Sequence, residues 1–185
     1  VLEVIGERVP ATFILMSVAF LIWVSVALTI GVIAAVRRYS VFDQSVTLFS
    51  YIFYSLPTFW LGLVLIFIFA VQLRWLPAQG IVDARNSPAP FNTPQYWTAF
   101  WQDPWPQIAD IARHLVLPVM TLVAVNIAAA SRFVRSSMLD TLSQDYVRTA
   151  RAKGLPRKRV VMRHAFRNAL LPIITAVTLE IAFLF

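Results

Sequence analysis

The sequence predicts an all-α, polytopic membrane helical bundle with a helix-bend-helix element on its inner side. Three observations predict it. Mean hydropathy is +0.71 with only 14% charged residues, against about 25% in ordinary soluble domains. Two long runs contain no Asp, Glu, Lys or Arg. The cations are gathered at one end: residues 132–168 hold ten Lys or Arg against Asp140 and Asp145.

The first charge-free run, Val9–Val36, is 28 residues long. An α-helix rises 1.5 Å per residue and needs about 20 residues to cross a ~30 Å hydrocarbon layer, so a span is predicted over 9–36. Its acidic lead-in (Glu3, Glu7) and its length do not fit a cleavable signal peptide. A short polar turn with Arg37, Arg38 and Asp43 follows. The next run, Gln44–Leu73, has 30 uncharged residues and predicts a second span over 44–73, with Pro57 interrupting its hydrogen bonding.

Residues 74–111 then form a connection with Pro77, Pro88, Pro90, Pro94, Pro104 and Pro106 and with Trp75, Trp97, Trp101 and Trp105. Prolines prevent a long regular helix, and tryptophans favour the headgroup level. The segment reads either as a loop lying on the bilayer or as a lid or docking surface over a pathway. A third uncharged run, His114–Ser131, spans 18 residues and predicts a crossing over about 112–138 if its ends borrow polar neighbours. A fourth starts near Ala169 and is predicted over 169–185. The chain starts with Val1 and stops within the apolar "EIAFLF", so it reads as the middle of a longer protein.

Short loops rich in Lys and Arg stay cytoplasmic. The turn at Arg37 and the loop 139–168 are therefore expected inside, and 74–111 outside. Within the spans, Asn126 and Glu180 place polar groups at membrane depth, where such groups face a bundle interior or a water-filled path. Asn126, beside Ala128, Ala129, Ala130 and Ser131, also suits plain helix packing. Both residues are candidate pathway positions.

Several chemistries are missing from the sequence. Without Cys there is no disulfide or thiolate site, and the redox compartment stays open. With only His114 and His164 and few acids, neither a metal cluster nor a hydrolase triad can be assembled. The five glycines never form the GxxxxGK[ST] spacing that cradles nucleotide phosphates. The chain is thus expected not to be an enzyme, to carry no cofactor or metal, and to rely on another subunit for any ATP. A nucleic-acid-binding anchor would also be basic, but would need more aromatics in its basic segment than Tyr146 and Phe166. A self-contained channel or secondary carrier would need its own gating or coupling-ion residues, for which Asn126 and Glu180 are a thin set.

From Ser143 the pattern is polar and helical, with Tyr146, Ala150 and Leu155 as apolar contacts, until Gly154 and Pro156 break it. Gly154 suits the left-handed end of a short helix, and Pro156 the first turn of the next. Val160, Val161, Phe166, Leu170 and Leu171 form a second apolar face leading into the last span.

"DYVRTARAKGLPRKRVVMRHAFRNALLP", residues 145–172, resembles the coupling-loop signature of ABC importer permeases of the peptide and nickel branch. The matching pattern is Tyr-x-x-x-Ala-x-Ala-x-Gly, then Arg-His-Ala and Asn-Ala-x-x-Pro. "RVPATF", "RRYSVFDQ", "SLPTFWLGLVLIFIFA" and "WLPAQG" agree with it, so the resemblance covers essentially the whole chain. Where the broad family opens Glu-Ala-Ala, this sequence reads Arg148, Thr149, Ala150, as is usual in the peptide and nickel branch.

The resemblance implies a type I permease fold of six spans, of which these are the second to the fifth, in a bacterial or archaeal cytoplasmic membrane. It implies a path for di- or oligopeptides, or for nickel or glutathione-like solutes in the same architecture. It also implies a second permease subunit, two ATP-binding subunits holding ATP and Mg, an extracytoplasmic substrate-binding protein and surrounding lipid, with no nucleic acid. ATPase coupling falls by this resemblance on Asp145, Tyr146, Arg148, Thr149, Ala150, Arg151, Ala152, Lys153, Gly154, Leu155 and Pro156. Ala150 and Ala152 would permit close seating, and Gly154 the bend.

Overall fold

The computed structural model describes residues 2–83, 85 and 87–184, the side chains of 2–5, 7 and 182–184 excepted. Expectations resting on the Glu3 and Glu7 side chains and on Phe185 lie outside the described residues. No strand occurs among those described. The helices are α1 (Leu2–Val36), α2 (Val41–Ser55), α3 (Thr58–Leu65) continuing as a π-helical turn (Ile66–Gln72), α4 (Pro94–Gln102), α5 (Pro104–Leu142), α6 (Asp145–Ala152), α7 (Arg157–Arg159) continuing as a second π-helical turn (Val160–Phe166), and α8 (Arg167–Leu184). The first π turn closes with the Leu73 N–H on the Ile68 carbonyl, at 2.9 Å.

Among the described residues two helices are long and apolar enough to cross a membrane, Arg8–Val36 and Pro104–Leu142, and the pair Val41–Ser55 and Thr58–Gln72, bent by 98°, makes a third if it is one broken span. At 1.5 Å per residue the 39-residue α5 is about 58 Å long, well beyond the ~30 Å core. It starts at Pro104, inside the segment expected to be a loop, because a proline in the first turn forfeits an N–H that has no intrahelical partner anyway. The run 44–73 is two helices where composition alone predicts one. The break falls at Leu56 and Pro57, both extended, since proline disfavours helical backbone in the residue before it.

The chain packs as two compact units. The first comprises residues 1–20 and 57–123, the second residues 21–56 and 124–185. In the first unit the proline- and tryptophan-rich connection is folded upon itself. Thr93 caps α4 by accepting from the Tyr96 N–H, with Pro94 at the first helical position. Phe91 lies 5.3 Å from Tyr96 and 5.4 Å from Trp97, ring centre to ring centre, and Phe100 follows 5.5 Å from Trp97. Tyr96 is completely buried. Asp110 holds this connection to α5 by accepting from the Asp83 N–H at 2.8 Å.

The second unit has a core of Ala35, Val134, Met138, Val147, Ala150, Val160, Ala165, Ala169 and Ile173. Small residues bring α1 and α5 close together. A Cβ on Gly31 would stand 2.7 Å from the Cβ of Val134 and 2.8 Å from the Ser131 carbonyl oxygen, so only glycine fits. Leu21, Leu48, Phe49, Leu171, Ile174 and Leu179 point outward, each more than half exposed, as expected of helices that face lipid or other helices.

Candidate functional site

The short helix α6 is built for two environments. Val147 and Ala150 lie on its inner side, 0% and 5% exposed, within the core of the second unit. Asp145, Tyr146, Arg148, Thr149, Arg151 and Ala152 lie on its exposed side. Asp145 in the first turn and Arg151 in the last each oppose the helix dipole with the favourable sign. Arg148 reaches Asp145 at 3.4 Å, a surface contact of little energetic weight.

The helix ends as a left-handed turn. Lys153 donates its N–H to the Thr149 carbonyl at 3.0 Å and Gly154 to that of Arg151 at 2.9 Å. Gly154 has φ 74° with nothing near the position of a Cβ, so conformation and not space requires glycine here. Leu155 is half-buried and Pro156 exposed. Pro156 is the N-cap of α7, one position ahead of the first-turn place expected of it. Of the three apolar contacts expected here, Ala150 is buried against its own unit and Leu155 half-buried, whereas Tyr146 is 42% exposed. The 3.6-residue period explains the contrast: Val147 and Ala150, three apart, share the inner face.

A polar hub joins the start of α2 to α5. Asp43 is 2% exposed, and its carboxylate accepts from Arg135 Nε at 2.5 Å and Nη2 at 2.8 Å. It also accepts from the Tyr39 N–H at 2.9 Å, while Ser40 caps α2 by accepting from the Asp43 N–H. Tyr39 has φ 65°, a conformation costly for a bulky residue, and this bond helps hold it there. Arg157, just past the bend, donates to the Val36 carbonyl at 2.8 Å, satisfying an end-of-helix acceptor of α1. Next to it, a groove of about 600 Å³ is lined by Ala35, Arg38, Leu142, Arg151, Leu155 and Val160 among others. In the sequence Asp43 reads as part of a polar turn and Arg135 as one of the ten cations in 132–168.

Asn126 and Glu180 come together in the same unit. They line one cavity of about 240 Å³ with Trp23, Ala129, Phe133 and Ile173. In the first unit a separate cavity of about 480 Å³ is bounded by Leu15, Phe59, Pro77, Gly80, His114 and Thr121, with the His114 ring held by the Asp110 carbonyl at 2.9 Å. No group of three His, Cys, Asp or Glu able to hold a metal occurs among the described residues.

Comparison with known proteins gives concordant matches. Residues 27–185 match the family described as binding-protein-dependent transport system inner membrane component. Similar proteins include the oligopeptide transport system permease protein AppB of Bacillus subtilis, 40% identical over 94% of this chain and 49% of its own length. The di/tripeptide transport system permease protein DppB of Pseudomonas aeruginosa is 42% identical over 93% and 51%. The dipeptide transport system permease protein DppB of Escherichia coli K12 is 38% identical over 94% and 52%. The chain spans about half the length of these curated relatives.

Proposed function

The chain belongs to the family of binding-protein-dependent transport system inner membrane components, and from that premise we propose that it is the membrane-spanning part of an ATP-driven peptide importer whose α6 docks a separate ATPase subunit. The observation that carries this reading is the two-sidedness of α6. Its inner face is locked into the core through Val147 and Ala150, and its outer face offers charged and polar side chains. A helix held in this way moves as one body with the spans beneath it, so closure of a docked ATPase would shift those spans as rigid elements. Arg157 on the α1 carbonyl and Arg135 on Asp43 stiffen the same junction.

Peptides are favoured as cargo because the similar proteins are named for oligopeptides, di- and tripeptides and dipeptides. The partners would be a second permease subunit, two ATP-binding subunits carrying ATP and Mg, and an extracytoplasmic binding protein, in a multi-pass inner-membrane assembly. Asn126 and Glu180 would belong to the pathway, and residues 145–156 to the ATPase contact. The test is uptake of radiolabelled dialanine into proteoliposomes holding the full-length permease with its partners. Uptake should require ATP and the binding protein. Uptake driven by an ion gradient with neither present would replace the reading with that of a secondary carrier.

A further inference from the structure

Two arginines one helical turn apart on α5 meet opposite fates. Arg135 is neutralised by Asp43 through two hydrogen bonds. The Arg132 side chain makes no ion pair and no hydrogen bond among the described residues, and its Nε is enclosed without a partner. Its guanidinium carbon instead lies 5.1 Å from the centre of the Tyr51 ring and 4.7 Å from that of Tyr54. Both distances are within the ~6 Å reach of a cation–π contact. The two tyrosines stand three apart on α2, so they share a face, and both remain more than half exposed.

Ring faces attract a cation but do not neutralise it, and a guanidinium keeps its charge at every accessible pH. Tyr51 and Tyr54 lie in the charge-free run 44–73, and Arg132 directly follows the charge-free run 114–131, within α5. A charge there is costly unless something pairs it, and such residues mark ion and substrate paths. The planar fork of arginine matches a carboxylate through two parallel N–H···O bonds, as Asp43 demonstrates on the neighbouring turn. The fold supplies a carboxylate to Arg135 and withholds one from Arg132.

We infer that Arg132, framed by Tyr51 and Tyr54, is a binding site for the C-terminal carboxylate of the transported peptide. This rests on the peptide-import reading above. The α-carboxylate is common to all peptides with a free C-terminus, so a path that tolerates varied side chains can grip it without reading sequence. The tyrosines hold the guanidinium in place without competing for its donors, and Tyr rings tolerate a passing apolar side chain.

The test compares uptake of dialanine and of dialanine amide by the complete reconstituted importer, for the unmodified protein, Arg132→Gln and Arg132→Lys. The same binding protein delivers both peptides in every case, so the ratio of the two uptakes between variants isolates the permease. Loss of a charge-assisted pair predicts a fall of about tenfold or more in Arg132→Gln for the free acid, less than twofold for the amide, and an intermediate loss in Arg132→Lys. Equal losses for both peptides overturn the inference in favour of a partner-subunit or structural contact, as does failure of both variants to assemble. An unchanged ratio overturns it outright. Absence of dialanine uptake by the unmodified importer refutes the peptide-import reading instead.

Discussion

Asp43 and Arg135, 92 positions apart in the sequence, form a two-point ion pair that joins the first turn of α2 to α5. The aspartate side chain is 3% exposed and the arginine 27%. Breaking a buried pair by removing one partner strands the other charge, which costs more than the pair contributes. Asp43→Asn should therefore lower the melting temperature of the purified complex, by a loss of about 3 kcal/mol. Asp43→Asn combined with Arg135→Gln should be less destabilised than the sum of the two single changes. Strictly additive losses would show that the two side chains are not coupled.

Gly31 sets the approach of α1 to α5. Because a Cβ there would meet both the Val134 side chain and the Ser131 backbone carbonyl, Gly31→Ala should destabilise by about 1–3 kcal/mol. Adding Val134→Ala should recover only part of this, since the carbonyl cannot be trimmed. Thermal inactivation of the two variants decides the point, and full recovery would place the whole clash on the valine.

Tyr96 is buried with its hydroxyl unpaired among the described residues. An unsatisfied buried hydroxyl is a penalty, so Tyr96→Phe should stabilise by about 1 kcal/mol. Burial, and then the charge of Asp110, raise the Tyr96 pKa above its ordinary 10.0. A raised value means the folded state prefers the neutral phenol, so this contribution is intact below pH 10 and is lost as pH climbs through the folded value. The advantage of phenylalanine should widen in that range. A melting temperature below that of the unmodified protein would show that the hydroxyl has a partner in the assembled complex.

These residues also mark the limits of reading the sequence. The charge-free runs, the break at Pro57 and the positive φ of Gly154 were legible because each follows from local chemistry: hydrophobic length, a missing N–H and a missing Cβ. Long-range pairing was not. Asp43 looks like a turn residue and Arg135 like one cation among ten, and nothing local in either stretch states that they meet. Tyr96 lies in a segment so rich in Pro and Trp that burial inside it could not be anticipated. The burial of Val147 in place of Tyr146 was not legible, because the two are adjacent apolar residues and only tertiary packing chooses between them.

Gly154→Val should leave the complex assembled but lose peptide-stimulated ATP turnover and uptake together. Open space surrounds the position, so the effect comes from φ 74°, which costs an L-residue roughly 1–2 kcal/mol and a β-branched one most. Gly154→Asn, which tolerates that conformation better, should retain more activity than valine. Normal uptake in the valine variant would remove the turn from the coupling mechanism.

The sidedness of the chain can be tested with charge as the only premise. Ten cations in residues 132–168 predict that this stretch remains in the cytoplasm. The apolar part of α5 separates it from the connection 74–111, which must then face the other side. Residues 1–185 contain no cysteine, so in a full-length protein with any other cysteine replaced by serine, Gln102→Cys and Ser143→Cys each provide a single reporter at an exposed position. A membrane-impermeant maleimide added to intact cells should label the cysteine at 102 at once. The cysteine at 143, two residues before α6, should be labelled only after permeabilisation. The reverse pattern would put α6 outside, where no ATPase could reach it, and would end the coupling proposal together with the assigned orientation.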